Sequence, residues 1–117
     1  MNLEESPHHP ILDRPWEYEV VGFNFQRSLI LETEPYIDLT LQSGSAVRRL
    51  RFYGPKDIQI ESGFPEWTGG LVILDVTSRG MEGIGIRVDD FEASRGSVTF
   101  WARTVVDLDS SPNGSNE

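Results

Sequence analysis

The stretch YIDLTLQSGSAVRRLRFYGP, residues 36–55, alternates apolar and polar side chains on both sides of a serine–glycine turn. Its first half places three apolar residues on one face, Ile37, Leu39 and Leu41. Its second half places Leu50 and Phe52 on one face, with arginine and tyrosine residues on the other. A period of two is typical of a strand with one buried face, so two half-buried strands are predicted. Val47 is out of phase with the second strand, which predicts a bulge or a sheet edge near Arg48.

Upstream, the segment EYEVVGFNF, residues 17–25, changes phase within one strand. One face carries Val21, Phe23 and Phe25, and the opposite phase carries Tyr18 and Val20. Gly22 stands where the pattern changes. The segment SLILE, residues 28–32, then predicts a short strand before the turn residues that follow it.

Two later segments also predict strands, with different degrees of burial. In DIQIE, residues 57–61, the alternation predicts that Ile58 and Ile60 lie inside. In LVILDVT, residues 71–77, both faces are apolar as far as Asp75. A strand that is apolar on both faces is typically covered on both sides, so we predict a central position for it.

The last two predicted strands, GIGIRVDD (83–90) and SVTFWART (97–104), can be aligned as an antiparallel pair. One register places all the apolar residues on a common face, with Ile84, Ile86 and Val88 opposite Thr104, Ala102 and Phe100. A slip of one residue would destroy this agreement. The same register places Arg87 opposite Trp101 on the outer face, where a guanidinium over an indole contributes about 0.5–1 kcal/mol. The loop EASRG, residues 92–96, would close the hairpin.

These strands account for most of the chain, which shows no heptad, no amphipathic stretch of helical length and no internal repeat. The sequence therefore predicts an all-β domain over residues 15–108, built as an antiparallel β-sandwich or open β-barrel of seven to eight strands. The polar residues 1–14 predict a disordered or extended N-terminal tail. Residues 109–117 predict a disordered acidic C-terminal tail.

Composition narrows the functional classes. The 117 residues include no cysteine, which removes thiol chemistry and thiolate metal sites. Because the N-terminus shows no secretory signal and no apolar run is long enough for a membrane anchor, we predict a cytoplasmic, bacterial-type protein without a membrane partner. The formal net charge is -9. This charge argues against nucleic-acid binding and favours a basic partner.

The inventory of catalytic groups is also short. His8 and His9 are the two histidines, and both lie in the N-terminal tail, so the predicted domain lacks the usual general base. We therefore predict no enzymatic activity and no cofactor. Asp75 stands alone in an apolar strand, and we interpret it as a strand-end residue hydrogen-bonded to the following loop. A small hydrolase that uses this carboxylate is the alternative.

Two acidic or aromatic clusters suggest ligand sites as alternatives. Asp89, Asp90 and Glu92 supply three carboxylates for a calcium ion, but they lack EF-hand spacing and are better explained as a solvated strand end. The loop GFPEWTGG, residues 63–70, could present Phe64 and Trp67 to a carbohydrate. We favour the interpretation that these aromatic side chains fold inward and close one end of the sandwich.

A third cluster suggests a protein interface, because arginine and aromatic residues are enriched at binding hot spots. Its candidate residues are Arg49, Arg51, Tyr53, Arg87, Trp101 and Arg103. The alternative is a solvated sheet face whose arginines pair with Asp38, Glu61 and Asp89.

The segments LRFYGPKDIQIE (50–61) and GSVTFWARTVVDL (96–108) also support a family resemblance. Over residues 47–108 the chain resembles small bacterial immunity-type β proteins of the toxin–antitoxin kind, which combine an LRF-like strand with a terminal F-x-A strand. The resemblance implies a protein that covers a toxin and performs no chemistry. We therefore expect a small binding protein with a protein partner, and the charge favours a basic one.

Overall fold

A computed structural model describes residues 6–27, 34–64, 70–91 and 96–109, and the statements below concern these residues. They form two antiparallel sheets of four strands each. The first sheet has the order β1-β2-β3-β8, with β1 (Glu19–Gln26), β2 (Tyr36–Ser43), β3 (Ala46–Tyr53) and β8 (Thr104–Asp107). The second has the order β4-β7-β6-β5, with β4 (Lys56–Ile60), β5 (Leu71–Asp75), β6 (Ile86–Asp90) and β7 (Val98–Ala102). The predicted all-β sandwich is confirmed. Short 3-10 turns lie at Pro15–Glu17 and Thr77–Arg79.

The hairpin of β2 and β3 has the alternation that the sequence predicts. Its inward residues are fully buried: Ile37, Leu39, Leu41, Leu50 and Phe52. Of the predicted bulge or sheet edge near Arg48, the bulge is wrong, because β3 pairs with β2 in one continuous register. Among the described residues the strand does have a free edge there, since its pairing with β8 begins only at Leu50. Val47 lies on the outer face, about half exposed. Arg48 takes the inward phase at the end of the sheet, where its guanidinium pairs with Asp107.

A bulge does occur in β1, at the change of phase around Gly22. The register shifts between Val20 and Gly22, so Val20 and Phe23 both lie opposite buried leucines of β2. Val21 is therefore pushed outward and is 53% exposed, which corrects its predicted place beside Phe23. A Cβ atom at Gly22 would lie 2.9 Å from the side chain of Thr40, so this close approach of the two strands requires glycine.

The predicted register of the last hairpin is confirmed over three pairs: Ile86 with Ala102, Arg87 with Trp101, and Val88 with Phe100. The further pair of Ile84 with Thr104 does not form. The reason is that β7 ends at Ala102 and Thr104 begins β8 in the other sheet, so the chain changes sheet at Arg103.

The two sheets meet across one apolar layer to which both contribute buried side chains. The rings of Phe52 and Phe100 touch across this layer edge to face, with centroids 5.1 Å apart. Ile58 packs against the same core, but Ile60 is 47% exposed, and its predicted burial is wrong. Ile60 lies opposite the buried Val98 and keeps the inward phase, but it is the last residue of β4, the edge strand of its sheet, where it stays open to water.

The strand β5 is buried on both faces, as predicted, but it is not central. It is the last strand of its sheet, and the N-terminal segment covers its edge. The N–H of His9 donates to the carbonyl of Ile73 at 2.8 Å, and the N–H of Asp75 donates to the carbonyl of Pro7 at 2.9 Å. Residues 7–9 are thus extended and paired, and the packed unit begins before residue 15.

The remaining predictions about organisation concern the ends and loops. Leu12 is buried in the core, although the sequence pattern assigns residues 1–14 to the N-terminal tail. The strand predicted at 28–32, most of the hairpin loop at 92–96 and the tail after Asp109 lie outside the described residues. In the part of the chain that is described, no helix has the length and apolar character needed to cross a bilayer.

Replacing Phe52 by alanine should lower the free energy of unfolding by about 3–5 kcal/mol, because it removes a buried ring and leaves a cavity between the sheets. The control Val47→Ala, on the exposed face of the same strand, should change it by less than about 0.5 kcal/mol. Urea unfolding followed by circular dichroism measures both. A loss below about 1 kcal/mol for Phe52→Ala would show that this contact does not hold the sheets together.

Candidate functional site

The outer face of the first sheet carries side chains in rows that run across its strands. Since successive residues point to opposite faces, the neighbours of the buried core positions all point outward here. One row contains Gln26, Tyr36, Tyr53 and Thr104, and the next contains Asn24, Asp38, Arg51 and Val106. A third row contains Gly22, Thr40 and Arg49.

Arg51 is the most firmly held side chain of this face. Its Nε and Nη2 atoms donate to the two carboxylate oxygens of Asp38 at 2.8 and 2.9 Å. Its Cζ atom lies 3.9 Å from the ring centroid of Tyr36. The hydrogen bonds to Asp38 raise the pKa of the guanidinium and outweigh its desolvation. A two-point pair with a stacked ring fixes the plane of the arginine.

Arg49 is held by the residues that follow β8. Its Nη2 and Nε atoms donate to Oδ1 of Asp109 at 2.7 and 3.0 Å, and its backbone N–H donates to Oδ2 at 2.7 Å. Desolvation raises the pKa of Asp109. The hydrogen bonds from Arg49 lower this pKa by a larger amount, so the net shift is downward. The backbone N–H of Leu108 also donates to the carbonyl of Arg49.

Between these pairs lies a shallow cleft of about 490 Å³. Gly22 and Thr40 contribute to its lining, and the absence of a side chain at Gly22 leaves it open. Its other polar groups come from Asn24, Asp38, Arg49 and Arg51. The cleft offers carboxylate, amide, hydroxyl and guanidinium groups side by side, which suits hydrogen bonding to a polypeptide.

Apolar side chains surround these polar groups. Val47 is 48% exposed, and Val106 and Leu108 are each 39% exposed. The rings of Tyr36 and Tyr53 meet edge to face with centroids 6.3 Å apart. We call this surface the arginine–tyrosine face and define it by Tyr36, Asp38, Arg49, Arg51, Tyr53 and Val106. Aromatic, arginine and aliphatic groups in this combination are typical of protein interfaces.

The six residues predicted as one partner site fall into two groups. Arg49, Arg51 and Tyr53 lie on the arginine–tyrosine face. Arg103 lies next to them, where its backbone N–H donates to the carbonyl of Tyr53 and its side chain pairs with Glu34 at 2.7 Å. That ion pair raises the pKa of Arg103 and lowers that of the Glu34 carboxyl.

Arg87 and Trp101 belong instead to the outer face of the second sheet, on the other side of the core. Arg87 lies 4.7 Å from the centroid of Trp101 and pairs with Asp89 at 3.2 Å. Trp101 packs against a second apolar cluster formed by Val72, Leu74 and Val76. The prediction of a single patch is therefore corrected, because the strand pattern does not reveal which sheet contains each strand.

The alternative prediction, in which arginines pair with carboxylates, is correct for two of its three acids. Asp38 binds Arg51 and Asp89 binds Arg87, whereas Arg49 is bound by Asp109, an acid that the prediction did not include. These guanidinium groups are therefore already engaged with carboxylates of the same chain.

The loop aromatics and Asp75 follow the structural interpretation where they are described. Phe64 packs against the core, and its ring lies 6.3 Å from that of Phe23. Trp67 lies outside the described residues. Asp75 ends β5 and accepts hydrogen bonds from the backbone and hydroxyl of Thr77 at 3.0 and 2.6 Å. These bonds lower the pKa of its carboxyl.

The alternative prediction of a calcium site concerns Asp89, Asp90 and Glu92. Asp89 and Asp90 are neighbours in β6, and the N–H of Asp90 donates to Oδ1 of Asp89 at 2.7 Å. Asp89 also binds Arg87. Glu92 lies outside the described residues. Among the residues with described positions, no group of three or more His, Cys, Asp or Glu side chains converges as metal ligands would.

His9 lies closer to the interior than the sequence suggests. It is half-buried, and its Nδ1 atom accepts a hydrogen bond from the N–H of Ile11 at 3.1 Å. Burial lowers the pKa of His9, while the carboxylate of Asp75 opposes this shift. The neutral imidazole is therefore the form that fits the folded state.

The sequence analysis did not predict Tyr36 and Val106 of the arginine–tyrosine face, nor Asn24 and Thr40, which line the cleft on the same sheet face. They occupy the outward phase of strands β1, β2 and β8, so the alternation did contain the signal for their orientation. The alternation does not predict which strands are neighbours in the sheet. It is the strand order that brings these side chains next to Arg49 and Arg51.

Lowering the pH from 7.5 to 5.5 should lower the melting temperature of the wild type more than that of His9→Gln. A histidine with a lowered folded-state pKa contributes full stability above its unfolded-state value of 6.5. That contribution is lost as the pH falls towards the folded-state pKa. The pH range from 7.5 to 5.5 lies above the pH at which the carboxyl groups of Asp75 and Asp109 titrate, because both pKa values are lowered. These two groups therefore do not contribute to the difference. Equal decreases in the two proteins would show that His9 is not the source.

A double-mutant cycle with Arg51→Ala and Asp38→Ala should give a coupling energy of about 1 kcal/mol, because the pair is two-pronged and mostly shielded from water. The control cycle is Arg14 with Glu17, whose side chains are more than half exposed and 3.6 Å apart. Its coupling should be no more than about 0.5 kcal/mol. Urea unfolding measures both cycles, and equal values would contradict the special rigidity of Arg51.

No protein-family model, curated protein or solved structure matches this chain. The resemblance to immunity-type proteins therefore stays a prediction. The evidence for a function therefore comes from the side chains of the arginine–tyrosine face.

Proposed function

We propose that this chain is a non-enzymatic binding protein whose arginine–tyrosine face engages a protein partner. The observation that carries the proposal is the fixed position of Arg51, held between the carboxylate of Asp38 and the ring of Tyr36 on an open sheet face. Side chains that are already ordered lose little conformational entropy when a partner binds. Exposed valines beside them add apolar area that a partner would cover.

The charges of this face favour a polypeptide over a phosphate-bearing ligand. Arg48, Arg49 and Arg51 are each paired with an aspartate of the same chain. A phosphate group would have to displace one of these carboxylates, and the paired guanidinium groups create little positive potential. A protein partner can instead pack on the tyrosine and valine side chains and hydrogen-bond at the edges of the ion pairs.

The net charge of -9 favours a basic partner, since a field of one sign accelerates encounter with the opposite sign. An immunity-type role, in which the chain covers a basic toxin, is the specific form that the sequence resemblance implies. We infer that such a protein works in a bacterial cytoplasm, where the absence of cysteine is unremarkable.

Photo-crosslinking in the source cells tests where a partner binds. Benzoylphenylalanine in place of Tyr53 should give a covalent adduct with a discrete partner. The control places it at Gln59, an exposed residue of β4 paired with Thr99 on the outer face of the other sheet. Adducts from Gln59 but not from Tyr53 would overturn the assignment of the face.

With the partner purified, Tyr53→Ala should weaken binding by about tenfold or more, as expected for an aromatic residue at an interface centre. Ile60→Ala, an exposed apolar residue of the second sheet, is the matched control and should leave binding unchanged. The association rate should fall steeply as salt rises, because encounter is driven by charge. A rate that does not depend on salt would contradict a basic partner.

A further inference from the structure

Residues 6–13 form an arm that runs along the outer edge of β5, and we call this segment the N-terminal arm. It is bridged to β5 in the antiparallel sense, with His8 opposite Leu74. On either side of this bridge a backbone hydrogen bond joins the arm to β5, with lengths of 2.8 and 2.9 Å. The arm therefore adds a short antiparallel strand to the second sheet.

Side chains of the arm are buried in the body of the protein as well. Leu12 belongs to the core between the two sheets. Ser6 is also buried, and its hydroxyl accepts a hydrogen bond from Nε of Arg79 at 2.8 Å. These contacts are lost when the arm leaves its place, and they are regained when an identical arm takes that place. A second copy of this chain is a partner that carries such an arm.

The chain enters the body of the protein through a strained residue. Arg14 has a φ of 48° and a ψ of 61°, the left-handed conformation that is costly for a residue with a Cβ atom. Arg14 also precedes Pro15, and a residue before proline favours an extended conformation. Among the described residues the other non-glycine with positive φ is Asp57, whose short polar side chain tolerates this conformation better.

The side chain of Arg14 does little to hold this conformation. Its guanidinium nitrogens lie 3.3 Å from a carboxylate oxygen of Asp13 and 3.6 Å from one of Glu17. All three side chains are more than half exposed, and ion pairs in water contribute little to stability. We therefore attribute the left-handed conformation to the contacts of the arm with β5 and the core. The strain is relieved when the arm opens and Arg14 becomes extended.

We propose that the N-terminal arm is exchanged between two copies of this chain, with Arg14 as the hinge. In the exchanged dimer the arm of each copy lies on β5 of the other, so the contacts of both arms are kept while both hinges become extended. Such an exchange is reciprocal and closes into a twofold dimer. A short hinge under strain favours it. The inference concerns the second sheet and does not depend on the function proposed for the arginine–tyrosine face.

Hinge variants of the full chain test the proposal by sedimentation equilibrium. The wild type should show a dimer whose fraction rises with protein concentration. Arg14→Gly removes the strain of the closed arm, so dimerisation should weaken by about tenfold or more, because each dimer contains two hinges. The control Asp57→Gly changes the other positive φ, away from the arm, and should leave dimerisation unchanged. A wild type that is monomeric up to its solubility limit would overturn the proposal, as would equal dimerisation of wild type and Arg14→Gly.

Arg14→Pro should act in the opposite direction. The proline ring holds φ at about −65°, which does not fit the closed arm but fits an extended hinge. This variant should therefore be dimeric at concentrations at which the wild type is mostly monomeric. A folded monomer of Arg14→Pro would overturn the proposal.

Crosslinking shows whether the arm is the element that is exchanged, and it decides the question even where Arg14→Pro does not fold. The chain contains no cysteine, so single cysteines can be introduced without a background. His8→Cys is made in one preparation and Leu74→Cys in a second one that carries a tag, and melting temperatures confirm that both fold. After incubation together and oxidation, the mixed disulfide dimer should exceed the two homodimers, because the two positions face each other across the arm and β5.

The control for this experiment is the double variant His8→Cys with Leu74→Cys at high dilution. It should form the disulfide within one chain, since the closed arm places the two positions opposite each other. A mixture without an excess of the mixed dimer, beside a control that closes within one chain, would overturn the exchange. A control that fails to close would overturn the pairing of the arm with β5 on which the exchange depends.

Discussion

The burial of one apolar layer between two sheets is the constraint on which the rest of this structure depends. Strands of both sheets send alternate side chains into that layer, and the rings of Phe52 and Phe100 touch across it. The outward phase is then free to carry polar groups. In the first sheet this phase aligns Tyr36, Asp38 and Arg51 into one ordered surface, so its geometry is a by-product of the buried layer on the opposite side.

The sequence predicted the fold class and much of the local register because period-two alternation records which side of a strand meets the core. It succeeded for the β2–β3 hairpin and for the pairing of Arg87 with Trp101. It failed at Val21, where a bulge in β1 shifts the phase, and at Ile60, which keeps the inward phase but stands at the exposed end of the edge strand β4.

The candidate site was harder to predict than the fold because it depends on contacts between distant parts of the chain. Alternation showed that Arg49, Arg51 and Arg87 point outward, but assignment to a sheet depends on strand order. The pairing of Arg49 with Asp109 joins residues 60 positions apart, beyond the reach of local patterns. The edge position of β5 was not predicted for a related reason. The segment that pairs with its outer edge is residues 7–9, which the sequence pattern assigns to a polar tail.

That N-terminal segment has a further consequence for how the protein behaves in a crowded solution. Strand edges with free amide and carbonyl groups are templates for fibre growth. Residues 7–9 bind the carbonyl of Ile73 and the N–H of Asp75 on the outer edge of β5. This edge therefore offers fewer free groups to a strand of another molecule.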